Sequence, residues 1–262
     1  MLNIKNKQIT ENEEVEIKAK KIICNADAYT TLKLLEGRNN VIDRSWVNKI
    51  KSIPCEGCTV KFNIALKELP TFKRQGGDPN NKAIHEGQVN LPLTFAEWQE
   101  AFDSMRSGQL YHKLWCEIYF HTALDRSVSP NGLHQMSVFA QYVPAVFADT
   151  PHLYTWSDEQ REKVWNVFLN SILPHCENFL DIVVEYEVLG PHDIEEKIGL
   201  HGGHIFQGSC LPQHMWENRL TARTPMKNFY LCGVATHPGG SVIGIHGRNA
   251  AYALLEDEQI KI

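Results

Sequence analysis

The sequence predicts an α/β (α+β) chain built around an antiparallel sheet, and three features carry that prediction. Thr59 to Leu66 alternates apolar and polar residues with the period of a half-buried strand. Two capping patterns, Thr94-Phe95-Ala96-Glu97 and Ser157-Asp158-Glu159-Gln160, each open a helix. Near the end, Asn228 to Glu256 reads as strand, glycine-rich loop and helix.

In chain order, residues 4 to 23 read as two short strands around the polar turn Thr10-Glu11-Asn12-Glu13. A helix follows over Ala28 to Leu35, with Asp27 as N-cap and Gly37 as the stop. A hairpin and one short helix hold little core, so this opening must dock on something else. In the next strand Val60, Phe62, Ile64 and Leu66 face one side, and Thr59, Lys61 and Asn63 the other. Thr71 to Gly87 has the composition of a surface loop. The helix opened by Thr94 runs to about Arg106 and stops near Gly108. Leu114 to Ala123 and Gln135 to Val143 are strands joined by the turn Ser129-Pro130-Asn131-Gly132. The helix opened by Ser157 buries Val164, Phe168 and Ile172, and Pro174 follows its end. Ile182 to Leu189 is a strand, and Asp193 to Glu196 caps a one-turn helix ending at Gly199. Asn228 to Cys232 is a short, continuously apolar strand, and the last helix spans Arg248 to Glu256.

Composition narrows the function classes. With 262 residues, 43% of them hydrophobic, the chain holds core for one or two domains. Its net charge of −5 excludes a global basic field, so no nucleic-acid partner is expected. No run of apolar residues is long enough for a transmembrane helix. Seven cysteines, an odd and sparse set, fit a reducing compartment. The first 21 residues lack both the apolar core of a signal peptide and the arginines of a mitochondrial presequence.

The segment from Gly233 to Gly247 carries the chemistry: Gly233, Gly239, Gly240, Gly244 and Gly247 are five glycines in fifteen residues. Such a density disfavours folding unless the backbone must bend unusually or come close to a ligand. A helix begins at its end, and helix N-termini offer free amides to an electronegative group. The spacing matches neither G-x-G-x-x-G nor the phosphate-binding P-loop. On spacing alone the loop either binds a ligand or is a long structural loop, with ligand binding favoured.

The second glycine cluster, Gly199 to Gly208, reads as a plain loop. Cys55-Glu56-Gly57-Cys58 reads as a chance pair, because no second ligand pair at zinc spacing accompanies it. His201 and His204 flank two glycines in a chain of twelve histidines, and no metal site is expected there. Trp98, Trp115, Tyr119, Trp156 and Trp165 read as core or pocket wall. No Ser/His/Asp arrangement stands out, so no catalytic residue is assigned.

Three blocks carry a resemblance. NFYLCGVATHPGGSVIGIHGRNAAYALLED (228–257), DIEEKIGLHGGHIFQG (193–208) and KKIICNADAYTTLKLL (20–35) resemble, in order and spacing, the phytoene desaturase-like FAD oxidoreductases. The resemblance implies the C-terminal part of an FAD-dependent amine oxidase/phytoene desaturase-like fold. Residues 1–50 would be a remnant of the FAD domain, 51–200 a mixed-sheet substrate domain, and 201–262 the flavin-contacting segment. Family chains open with a Rossmann unit whose glycine-rich turn holds the FAD pyrophosphate. No G-x-G-x-x-G occurs here, so the chain resembles the C-terminal half alone, with an incomplete FAD-binding domain.

FAD is the implied cofactor. Gly239 and Gly240 would let backbone approach the flavin ring. Val242, Ile243 and Gly244 would present amides to its pyrimidine side, and Gly233 would approach the ribityl–phosphate arm. Thr236 and His237 would line the same site, and Arg248 and Asn249 would pair with polar groups of the flavin. The implied reaction is hydride transfer from a C–H bond of an apolar small molecule, not identified further, to flavin. The alternative is a non-catalytic relative that docks on a partner or regulates it in mitochondria. The implied partner is an N-terminal half carrying the missing motif, or another protein. The implied location is the mitochondrial matrix, with the cytoplasm as the alternative.

Overall fold

A computed structural model describes residues 17–36, 42–73, 82–129, 131–176 and 178–260. The first strand and turn of the expected hairpin, Gly37 and Pro130 lie outside these residues. β1 (Ile22–Cys24) leads to α1 (Ala28–Leu34), whose N-cap Asp27 accepts from the amides of Tyr29 and Thr30, both at 2.9 Å. α2 (Arg44–Ser52) has no counterpart among the expected elements. Only its Trp46 and Ile50 are buried, one turn apart, so its apolar stripe is two residues long.

β2 (Thr59–Leu66) matches its expected bounds, with Val60, Phe62 and Leu66 fully buried. β3 (Val89–Leu91) is a further short strand that buries only Leu91 fully, too little pattern to read in sequence. α3 (Phe95–Arg106) carries both halves of its capping box, and Gly108 at φ +72° follows it. β4 (Trp115–Tyr119) is shorter than expected, because the chain turns at Phe120 into α4 (His121–Leu124). The alternation misleads there: Thr122 is buried, but its hydroxyl accepts the Gln135 amide at 3.1 Å instead of extending the strand.

β5 (His134–Gln141) pairs along the whole of β2. α5 (Asp158–Ile172), α6 (Phe179–Ile182) and β6 (Val183–Leu189) follow. α7 (Pro191–Ile198) has two turns rather than one, because Asp193 is not the cap. It sits inside the helix and its carboxylate reaches back 2.7 Å to the amide of Gly190, the true N-cap. β7 (Phe229–Leu231) and α8 (Ile245–Asp257) close the chain, with α8 starting three residues before the expected Arg248.

Five strands form one antiparallel sheet in the order β3-β4-β5-β2-β6. α5 packs on one face, where the Phe62 and Phe168 rings stack at 4.7 Å and Val164, Phe168 and Ile172 are fully buried. Each such side chain contributes about 1.5–3 kcal/mol. β1 and β7, some 200 positions apart, form a separate two-stranded parallel sheet in the register Ile22↔Phe229, Ile23↔Tyr230, Cys24↔Leu231. Beneath it Ala28, Trp46, Ile50, Ile53, Leu220, Leu231 and Ala235 form a second core. The last strand, loop and helix are thereby anchored to α1 and α2. Among the described residues no helix is long and apolar enough to cross a membrane.

Candidate functional site

The two glycine clusters of the sequence lie side by side, and Arg219 joins them. Its guanidinium is buried, 1% exposed, and donates to the carbonyls of Phe206 (2.7 Å), Gly208 (3.4 Å), Ser209 (3.0 Å) and Val234 (2.7 Å). Burial, first of all, pulls its pKa below the usual value. Nε is buried without a hydrogen-bond partner. Sequence reading missed this residue, since Asn218-Arg219-Leu220 carries no periodic or motif signal.

Around it the cluster from Gly199 to Gly208 is a backbone crossing. A Cβ on Gly202 would lie 1.9 Å from the Cys55 carbonyl oxygen, and one on Gly203 would lie 1.8 Å from that of Pro191. The Gly57 amide donates to the Gly202 carbonyl at 2.8 Å. The C-x-x-C segment is thus one side of this crossing. Burial pushes the Cys55 thiol up to about 12 and that of Cys58 to about 11, so neither is a thiolate near neutral pH. His201 stacks on Tyr29 with ring centroids 4.2 Å apart, and its Nδ1 lies 3.2 Å from Glu195. Among the described residues no group of three His, Cys, Asp or Glu is placed to hold a metal ion.

His204 faces Arg219 from the same cluster. Its Nδ1 accepts the Phe206 amide at 3.2 Å, which needs an unprotonated nitrogen, and burial and then Arg219 push its pKa down to about 4. An unfolded imidazole takes a proton below about 6.5. The stabilisation from neutral His204 is therefore complete above that pH, is lost as pH falls from 6.5 to about 4, and changes no further below. The loss amounts to about 3 kcal/mol at most. Urea unfolding at pH 7 and pH 5 should show it, and His204→Asn should flatten this dependence. An unchanged dependence in the variant would remove His204 as its cause.

The other cluster is the loop from Gly233 to Gly244. Gly233 is buried, and a Cβ there would meet Gln207 Oε1 at 3.0 Å and the Asn25 carbonyl at 3.3 Å. Thr236 is buried with its hydroxyl donating to the Gly233 carbonyl at 2.8 Å. His237 is exposed; its amide donates to the Leu220 carbonyl at 2.7 Å and its carbonyl accepts from Asn249 at 3.3 Å. Gly239, Gly240, Ser241 and Gly244 all have positive φ, between +61° and +75°. At Gly239 a Cβ would lie 2.5 Å from Arg219 Nε, while at Gly240 it would make ordinary contact with the Phe206 ring at 3.7 Å.

Val242 is fully exposed and Ile243 about half exposed. Gly244 is the N-cap of α8, and its carbonyl accepts the Arg248 amide at 3.1 Å. The preceding amides of Ile245, His246 and Gly247 occupy the first turn, where no intrahelical acceptor exists. His246 is buried with Nε2 unpartnered. The Arg248 guanidinium lies 4.4 Å over the Tyr252 ring. The loop therefore presents bare, turned-out backbone, two exposed apolar side chains and a helix N-terminus on one surface, braced from beneath by Arg219.

The chain is similar in sequence to proteins named as oxidoreductases, a dehydrogenase and a desaturase, and in fold to an oxidoreductase. It is 27% identical over 221 residues to pyridine nucleotide-disulfide oxidoreductase domain-containing protein 2 of Rattus norvegicus, covering 81% of this chain and 38% of that protein. It is 24% identical over 270 residues to a limonene dehydrogenase polypeptide of Castellaniella defragrans, covering 97% of this chain and 47% of that one. Phytoene desaturase (lycopene-forming) of Pantoea ananas matches at 26% over 183 residues, 61% of this chain and 35% of the enzyme. A crystal structure of an oxidoreductase from Methanosarcina mazei shares the fold, with a TM-score of 0.50 at 13% identity over 92% of this chain and 43% of that one. No family model matches the chain. The chain thus spans less than half the length of these relatives.

Proposed function

We propose that this chain is the flavin-contacting, substrate-facing half of an FAD-dependent oxidoreductase that removes hydride from a C–H bond of an apolar substrate. The observation that carries the reading is the exposed surface from Ser241 to Ile245, with positive φ at Ser241 and Gly244, running into the first-turn amides of α8 over the buried, orphaned His246 Nε2. Those residues fit the ring end of FAD, which supplies the hydride acceptor when bound. Gly240, buried against Phe206, would hold the turn that brings the exposed backbone after it to the ring. The first-turn amides of α8 would donate to its electronegative edge, and Val242 and Ile243 would cover apolar surface. Arg219 keeps the loop fixed, so that these groups are in place before binding. Two of the relatives carry the names of hydrocarbons, limonene and phytoene, which supports an apolar substrate.

The ADP end of FAD has no counterpart in this sequence, which lacks G-x-G-x-x-G. The purified 262-residue chain should therefore retain flavin well below one equivalent after gel filtration, read by visible absorbance. Stoichiometric, tightly held FAD would overturn the two-part reading. A second reading, a non-catalytic relative that docks on a partner, draws on β1, an outer strand whose Ile22 and Ile23 are about half exposed. No binding of FAD at any concentration, with the chain folded, would favour it. We place the intact protein in the mitochondrial matrix; imaging a full-length version in the cytosol alone would overturn that location.

A further inference from the structure

β2 carries one side chain that packing does not explain. Lys61 lies on the face opposite Phe62, flanked in register by Phe139 of β5 and Leu189 of β6. Its Nζ donates to the Ser137 hydroxyl, a neutral acceptor, and among the described residues it has no ion pair. Burial pulls its pKa below the ordinary 10.5. The acids of the same face are engaged or remote. Glu187 binds Lys197 at 2.7 Å and Asn63 at 3.0 Å, Glu117 accepts the Tyr119 hydroxyl at 3.1 Å, and Glu185 is exposed on the edge strand β6. An ammonium has three protons to donate, and a half-desolvated one with a single neutral acceptor attracts an anion.

Beside Lys61 the face is aromatic. Phe139 meets Trp115 at 6.3 Å, Trp115 meets Trp98 at 5.5 Å, Trp98 meets Tyr142 at 5.8 Å, and Tyr142 meets Phe102 at 5.4 Å. The row ends in a pocket of about 390 Å³ lined by Leu93, Phe95, Trp98, Gln99, Phe102 and Tyr142. Phe95 is 88% exposed at its mouth. An apolar row with one cation at its side matches a ligand that is apolar along its length and anionic at one end.

We propose that this sheet face binds an apolar molecule ending in a carboxylate, with the tail along the aromatic row and the carboxylate on Lys61. The proposal rests on the oxidoreductase reading for the chemistry after binding, and it narrows the substrate from an apolar molecule to an apolar acid. The binding step itself needs no flavin.

Parinaric acid, a polyene fatty acid that accepts energy from tryptophan, is the probe, with its methyl ester as the neutral control. Trp98 and Trp115 are the donors on this face. The chain should bind the acid about tenfold more tightly than the ester, the effect of one well-placed charge pair. Lys61→Met should abolish that preference and leave ester binding unchanged, while Lys61→Arg should keep most of it. Equal affinity for acid and ester, a preference that survives Lys61→Met, or no energy transfer with either probe would overturn the proposal. Titrating FAD into the same samples separates the two readings. Acid binding without any flavin binding would overturn the redox reading and leave this site standing; flavin binding with no acid preference would do the reverse.

Discussion

Arg219→Leu is expected to lower stability by about 3–5 kcal/mol, the range for losing a buried charge with several hydrogen-bond partners. Four carbonyls lose a donor together: Phe206 and Gly208 from one glycine cluster, the adjoining Ser209, and Val234 from the other cluster. Leucine fills part of the volume but offers no proton, so buried acceptors stay unsatisfied. The site should also come apart locally, because the guanidinium is what ties residues 206–209 to residue 234. Urea unfolding measures the first effect. Limited proteolysis near residue 207 measures the second, and it should become faster than global unfolding allows. Arg219→Lys should fall between the two, since an ammonium cannot span acceptors on both loops as a planar fork does. A loss below about 1 kcal/mol for Arg219→Leu, with proteolysis unchanged, would mean the loops hold each other without it.

That residue also marks where the sequence stops being legible. Helix starts at Thr94 and Ser157 were readable because a capping box is a local hydrogen-bond pattern within four residues. The bounds of β2 were readable because alternation directly records which face is buried. The role of Arg219 is fixed instead by residues ten to fifteen positions away on two loops, and nothing local in the sequence encodes it. β1 and β7 tell the same story: each is three residues long, and their pairing joins opposite ends of the chain. The glycine loop was visible as a place of special backbone, since nothing but tolerance of positive φ or close approach explains such a density. Which glycine would drive a methyl into a buried group and which would not was not visible, because that depends on what lies behind each one.

Gly239→Ala is the second large effect expected, about 3 kcal/mol of stability, combining backbone strain at positive φ with a forced displacement of a buried group. Gly239 has φ +75°, and its new methyl would stand 2.5 Å from Arg219 Nε and 2.8 Å from Arg219 Cζ. The arginine cannot retreat without breaking bonds to Phe206 and Val234. Gly240→Ala should cost only about 1 kcal/mol, the strain of φ > 0 alone. There φ is +66° and the nearest atoms, in the Phe206 ring, lie at an ordinary 3.7 Å. Adjacent glycines that look alike in the sequence therefore separate: a methyl at Gly239 runs into the brace, whereas one at Gly240 meets the Phe206 ring at ordinary contact distance. Bulk at Gly240 should tell on the ligand instead. In an assembly completed with a dinucleotide-binding half, Gly240→Val should lower flavin content and remove the thermal shift given by added FAD, a loss larger than the drop in apo melting point that a β-branched residue at φ +66° brings by itself. Similar losses of stability for the two alanine variants would show that Arg219 yields to Gly239→Ala. Full flavin content in Gly240→Val would show that the loop from Gly239 to Gly244 is an ordinary turn and that the flavin, if bound, lies elsewhere.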